Sequence, residues 1–251
     1  MVSRIFQLVA FFSVLAAFVA PAYCANVSKD DLDTKLPGNT AVGKMARSVV
    51  GLPYIESLRS AASNFRDYQC YCQLFTRKAD KWKDFGGAMF FYKQKELVRA
   101  EIKSSDYRNG SIVVRQADGK IRGQGGGGLS LIKMTIQPDS RTIRLPTGFS
   151  LAQSDFVSLY DALKNQLNNG AEASVSAPVS LPAFNEPVLV LLLKNKKNDG
   201  GDSDPLHIIY LNPKTKIPLA WNTYKQGQSH AYVFFDDVNV NKGLTDDLFQ
   251  L

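Results

Sequence analysis

At Asp67 the apolar pattern changes its period, and that change restricts the possible folds more than any other feature of the chain. Before it, Val42, Met45, Ala46 and Val49 recur at helical spacing. Gly51, Leu52 and Pro53 interrupt them, and Tyr54, Leu58, Ala61 and Phe65 then repeat at i, i+4, i+7 and i+11. After Asp67 the period is two. Tyr68, Cys70, Cys72 and Leu74 alternate with Gln69, Tyr71, Gln73 and Phe75, as on the two faces of a strand. Strand patterns continue over 86–93, 96–103, 111–116, 129–136 and 141–145. Within 96–103, Val98, Ala100 and Ile102 oppose Arg99, Glu101 and Lys103, giving one dry face and one wet face. Asn109 with Gly110, Asp118 with Gly119, and Pro138 with Asp139 supply turns. Connections this short make neighbouring strands antiparallel.

Residues 154–167 break this rhythm with a helix whose stripe is Phe156, Leu159, Tyr160, Leu163 and Leu167. Ser154 is placed to cap it, Asp155 suits its positive end, and Gly170 can end it. Residues 171–182 are small, Ser-rich and Pro-containing, which predicts a surface connection. Four strand patterns close the chain at 187–193, 206–211, 217–225 and 230–240. The first is apolar throughout, so both its faces are covered. About ten strands and three helical pieces without strand–helix alternation predict an α+β fold, a curved antiparallel sheet with helices on one side.

The N-terminus predicts export. Arg4 gives a basic start, 5–20 is apolar except for Gln7 and Ser13, and Ala20 and Ala22 flank Pro21 as a small-x-small cleavage site. The apolar stretch is shorter than the roughly 20 residues of a spanning helix. A membrane anchor retained at the N-terminus is the alternative. Cys24 raises the further option of a lipidated start, although Pro21 and Tyr23 suit it poorly. The division is therefore a signal peptide over 1–22, a flexible lead-in over 23–41 containing Pro37 and Gly38, and a single domain over 42–251. The implied location is outside the cytoplasm.

Signatures of chemistry are sparse. Thirty Lys and Arg against 23 Asp and Glu give a formal charge of +7, which favours anionic partners such as a membrane surface. The cations are dispersed, so nucleic acid is not implied. Of the three cysteines, Cys70 and Cys72 fall on one strand face, roughly 6.7 Å apart at Cα. A disulfide there would be strained, and packing as small apolar residues competes with a metal or redox role. His207 and His230 lie on different strand patterns, outside any zinc-protease motif, and no nucleophile elbow exists. Gly123 and the glycines at 125–128 lack phosphate-loop spacing and predict a flexible hairpin tip or lip. Asp199, Asp202 and Asp204 lack the calcium-loop spacing. Glu96, Glu101 and Asp106 suggest no acid–base pair. No metal or cofactor is implied.

The last third carries a resemblance. Y-L-N-P-K-T-K-I-P-L-A-W at 210–221 resembles the "D-P-x-T-x-L-P-x-x-W" hairpin of the LolA-like family of periplasmic lipoprotein carriers, which includes related lipid carriers and RseB-type stress regulators. F-F-D-D-V-N-V-N-K-G-L at 234–244, running on to Phe249, is similar to its closing "F-x-D-V-x-x-N-x-x-L-x-x-x-F". Arg99 stands where the family often has an arginine. The likeness covers roughly residues 55–251. It implies an incomplete antiparallel barrel with a helical lid and a cavity for acyl chains. The insert at 171–182 and the poly-Gly segment depart from the pattern and leave cargo and receptor open.

Together these features predict a non-enzymatic carrier of lipid or lipoprotein acyl chains. Strand phase assigns cavity-facing positions to Cys72, Leu74, Val98, Ala100, Ile102, Val190, Leu192 and Trp221. Core packing would place the same residues inside. Its expected partners are the acyl chains and an anionic membrane surface or a membrane receptor. Two competitors are an envelope regulator using the fold for protein contact and a hydrolase built on His207 or His230.

Overall fold

The computed structural model describes residues 27–103, 108–195 and 204–251. The predicted signal peptide, Cys24, Asp106, Asp199 and Asp202 lie outside the described residues. The chain enters through two short helices, α1 (Leu32–Lys35) and α2 (Asn39–Met45), then β1 (Ser48–Val50) and α3 (Leu52–Ser63). A meander follows: β2 (Asp67–Lys78), β3 (Lys81–Lys93), β4 (Leu97–Ile102), β5 (Ile112–Arg115), β6 (Ile121–Gln124) and β7 (Lys133–Ile136). Helix α4 (Phe156–Asn168) precedes β8 (Glu172–Val175), β9 (Leu189–Lys194), β10 (Pro205–Leu211), β11 (Pro218–Lys225) and β12 (Gln228–Val240).

These twelve strands form one sheet in the order β1-β8-β9-β10-β11-β12-β2-β3-β4-β5-β6-β7. Every pairing is antiparallel. β1 and β7 remain as free edges, so the sheet is an incomplete barrel. The helices α3 and α4 lie together on its concave face, with Ile55 and Leu58 beside Leu159, Tyr160 and Leu163 in one core. Arg59 to Asp161 at 2.6 Å and Lys164 to Glu56 at 2.9 Å bridge the two helices on the outside. Such exposed pairs are worth about 1 kcal/mol or less each.

The sheet is buried on its convex side as well, in two patches. Over β9–β12, Leu32, Leu36 and Val42 join Phe184, Val190, Leu192 and Tyr210. The Trp82 indole donates to Asp33 Oδ1 at 3.0 Å and pins α1 there. The lead-in predicted to be flexible up to 41 is therefore packed from Leu32 onward. Burying each of its leucines contributes about 1.5–3 kcal/mol, which offsets the ordering of a short segment. Over β4 and β5, the C-terminal tail seats Phe249 against Leu97 and Val114.

Other local expectations change for physical reasons. Two of the twelve strands replace a predicted helical turn and a predicted surface connection. Val49 and Val50, β-branched, leave the helical pattern and pair as β1 with β8. Residues 172–175 satisfy the free backbone of β9. Residues 141–145 form no strand and contribute one bridge, Arg144 with Ser150. The cap of α4 is Asp155, not Ser154. Its carboxylate accepts from Ser158 N at 2.9 Å and Ser158 Oγ at 2.6 Å, while Ser154 donates back to the Ser150 carbonyl.

Candidate functional site

Strands β2 to β6 carry two kinds of side chain along one concave face. Toward one end of them, Tyr68 stacks on Phe156 with centroids 4.5 Å apart and planes 6° from parallel. Phe90, Tyr92 and Val98 lie beside it. The Tyr68 hydroxyl accepts the Phe156 N–H at 3.0 Å, so the first turn of α4 is seated on the sheet. Below the cap, Arg115 Nη2 donates to Asp155 Oδ2 at 3.1 Å and its Nε to the Glu96 carbonyl at 2.6 Å. Both members of that ion pair are buried. This end is filled.

A few residues further along, the inward positions shrink. Cys72 pairs with Ala88 and Leu74 with Gly86, while β6 presents Gly123 opposite Val113 and Met134. The result is a hollow of about 480 Å³, in the ~300–1,000 Å³ range of small-molecule sites. Its wall includes Leu74, Ile102, Val113, Ile136, Leu145 and Leu151. Arg108, Asn109 and Thr142 also line it and are exposed, while Ser111 and Gln124 are half-buried in its wall. No residue of α3 or α4 lines it. The segment from Thr142 to Leu151 covers it instead, so the helices fill one region of the barrel and leave the other to a loop.

The residues assigned from strand phase divide accordingly. Cys72, Leu74 and Ile102 line the hollow. Val98 and Ala100 share its face but are fully covered; the turn Leu151–Gln153 packs on β4 above them. Trp221 is buried under Phe149 and His207. Val190 and Leu192 point to the convex side, because β9 is apolar on both faces and alternation alone gives no direction. Their neighbours Leu189, Leu191 and Leu193 face inward. Gly86, Ala88 and Gly123, which strand phase did not assign to the cavity, also line it. The signal was present as small residues at inward positions of otherwise bulky strands.

The glycine run is a tight structure at the rim. A Cβ on Gly126 would lie 1.9 Å from the Asn109 carbonyl oxygen, and one on Gly125 would lie 2.6 Å from the Leu129 Cβ. These glycines let two turns pack backbone to backbone beside the mouth.

Cys70 and Cys72 are free thiols with sulfurs 3.7 Å apart. The neighbouring Cys72 thiol, and then burial, push the Cys70 thiol well above the usual range, which keeps it protonated. Among the described residues no group of three or more His, Cys, Asp or Glu is placed to hold a metal ion. His207 is engaged at both nitrogens. Its Nδ1 accepts from Trp221 Nε1 at 3.1 Å, and its Nε2 lies 3.0 Å from the Gln166 amide. Trp221 can only donate, so the neutral ring carries its proton on Nε2. With the amide turned so that Gln166 Oε1 faces the ring, it accepts from that Nε2–H. Burial lowers the His207 pKa to about 4, so the ring is neutral at pH 7. This histidine holds α4 to the sheet and is not poised as a base. His230 lies on β12, partly exposed, and burial, then Lys225, lowers its pKa.

The quoted sequence motifs are structural staples. Asn212 Oδ1 accepts from Lys214 N at 2.9 Å and Thr215 N at 3.0 Å, closing the β10–β11 turn. Tyr160 donates to the Lys216 carbonyl at 2.6 Å and ties α4 to that turn. At the closing motif, Gly243 N donates to the Asp67 carboxylate at 3.1 Å. Arg99 Nη1 holds the tail through the Leu248 carbonyl at 3.1 Å.

No protein-family model matches this chain, and no curated protein does. Solved structures of similar fold include MucB, known from Pseudomonas aeruginosa, at 14% identity and TM-score 0.48 over 80% of this chain and 62% of that one. This chain thus spans less than two thirds of that MucB structure. A LolA superfamily protein from Nitrosomonas europaea matches at 9% identity and TM-score 0.38, over 78% of this chain and 97% of that one. The Mycobacterium tuberculosis lipoprotein LppX matches at 9% identity and TM-score 0.45, over 84% of this chain and all (100%) of the other. At these identities the likeness concerns the fold.

Proposed function

We propose that this protein is an exported, non-catalytic carrier that shelters an acyl chain of a lipid or lipoprotein in the hollow of its incomplete barrel. The observation that carries this reading is a mainly apolar cavity with three of its few polar side chains, Arg108, Asn109 and Thr142, exposed at its mouth. Such a wall has little to hold a polar substrate and much to hold hydrocarbon. Each buried CH₂ contributes about 0.8 kcal/mol, so a chain of ten methylenes gains about 8 kcal/mol before ordering costs. Cys72, Leu74 and Ile102 would touch the chain directly. Val98, Ala100 and Trp221, packed beside the hollow without lining it, and Val190 and Leu192, on the convex side, would hold the surrounding framework and not touch the chain. The N-terminal pattern at 1–22 supports export to the periplasm.

Two measurements on the purified protein test this. Mass spectrometry of its organic extract is expected to show acyl-bearing molecules at near-stoichiometric amounts. A fluorescent fatty acid is expected to bind saturably at one site after delipidation. An extract free of acyl chains together with no saturable probe binding would sink the reading.

A further inference from the structure

The segment between β6 and β7, together with the start of β7, exposes more large apolar side chains than any other described part of the molecule. Leu131 is 93% exposed, Leu129 59%, Met134 50% and Ile132 48%. Single exposed apolar residues are ordinary, but four within six positions form a patch that calls for a partner. Gly125 and Gly126, held against Leu129 and the turn at Asn109, fix the base of this tip. Leu129 and Met134 also line the hollow, so the patch is continuous with the cavity wall. The flanking charge is mainly positive: residues 118–144 contain Lys120, Arg122, Lys133, Arg141 and Arg144 against Asp118 and Asp139, and Asp118 pairs with Arg122 at 3.1 Å and Lys120 at 3.8 Å.

We infer that this tip docks the protein on an anionic lipid bilayer, with Leu131 and Ile132 entering the acyl boundary and the cations meeting headgroups. Apolar side chains flanked by Lys and Arg are the composition that lies in a membrane interface. Docking there would set the cavity mouth against the acyl layer, so a chain could pass along Leu129 and Met134 without crossing water. The role in transfer rests on the acyl-carrier reading; the docking itself stands on the tip alone.

The test uses the full protein and vesicles of phosphatidylcholine, with or without one third phosphatidylglycerol. Leu131→Trp reports its own surroundings, since Trp82 and Trp221 are buried. Its emission is expected to shift to the blue with anionic vesicles, weakly with neutral ones, and less at 0.5 M salt as screening predicts. Leu131→Glu is expected to weaken vesicle binding at least tenfold while leaving fatty-acid binding intact, because Leu131 does not line the hollow. Absence of a blue shift, or equal vesicle binding by wild type and Leu131→Glu, overturns the docking. So does sedimentation showing that the tip mediates contact with a second copy that Leu131→Glu abolishes. Intact fatty-acid binding in any of those cases leaves the carrier reading standing, whereas loss of fatty-acid binding in the wild type strikes that reading alone.

Discussion

The two ends of strands β2 to β6 share a sheet, a face and a register, yet one is solid and the other hollow. At the solid end Tyr68 pairs with Tyr92 and Cys70 with Phe90, and Phe156 closes over Tyr68. At the hollow end Cys72 pairs with Ala88 and Leu74 with Gly86, and a loop lies above them instead of a helix. The backbone is the same kind of structure throughout; side-chain volume and the position of α4 make the difference. Interiors of proteins are close-packed, so a run of small residues under a bridging loop leaves space that nothing inside the chain fills.

The anchoring of α4 at the solid end gives the largest expected effect. Asp155→Ala removes an N-cap, costing about 0.5–2 kcal/mol, and leaves the buried Arg115 without its counter-charge, a loss of about 3–5 kcal/mol. Urea unfolding monitored by circular dichroism is expected to show a destabilisation of that order. A loss below about 1 kcal/mol would mean that α4 is held by its apolar stripe alone. The two ends would then differ in packing but not in how firmly they are pinned.

Much of this contrast is legible in the sequence, and the illegible part has a physical origin. The alternation at Val98, Ala100 and Ile102 against Arg99, Glu101 and Lys103 is reproduced on β4, because the charged residues mark one face and give the pattern a direction, even though the C-terminal tail half-covers that face. Val190 and Leu192 belong to a strand buried on both faces, where hydrophobicity cannot say which side is concave. The packed lead-in was hidden for a related reason: Leu32 and Leu36 are two apolar residues in a polar stretch, and they matter only because β9–β12 present an apolar convex face. Trp221 was legible as buried but not as filled over, since that depends on Phe149, distant in sequence. The hollow itself is a property of what fails to meet, and no single strand records it.

Acid sharpens the comparison, because His207 sits in the solid region. Its folded pKa of about 4 lies below the ordinary 6.5, through burial. Between those values the unfolded chain binds a proton that the folded chain refuses. Stability is therefore full above about pH 6.5 and falls as pH drops toward 4, by about 3 kcal/mol at most. The pH range above 4.5 separates this loss from that of most carboxylates. Melting curves at pH 7 and pH 4.5 are expected to differ more for wild type than for His207→Gln, which carries no titrating ring. Equal differences would show that the imidazole is solvated and that the solid region is more open than its packing indicates.

Filling the hollow is expected to change stability least and binding most. Ala88 lies on β3 opposite Cys72 and Ile102 and lines the space. In Ala88→Phe the ring has about 480 Å³ to enter, so the usual overpacking penalty of about 1–3 kcal/mol should largely be absent. The same substitution at Ala100, on the same face but fully covered, should incur that penalty in full. The pair thus measures the boundary between the two ends directly. Ala88→Phe is expected to melt within a few degrees of wild type and to lose saturable fatty-acid binding, while Ala100→Phe is expected to melt well below it. Equal destabilisation by both would mean that the hollow collapses in solution, and with it the distinction on which acyl binding depends.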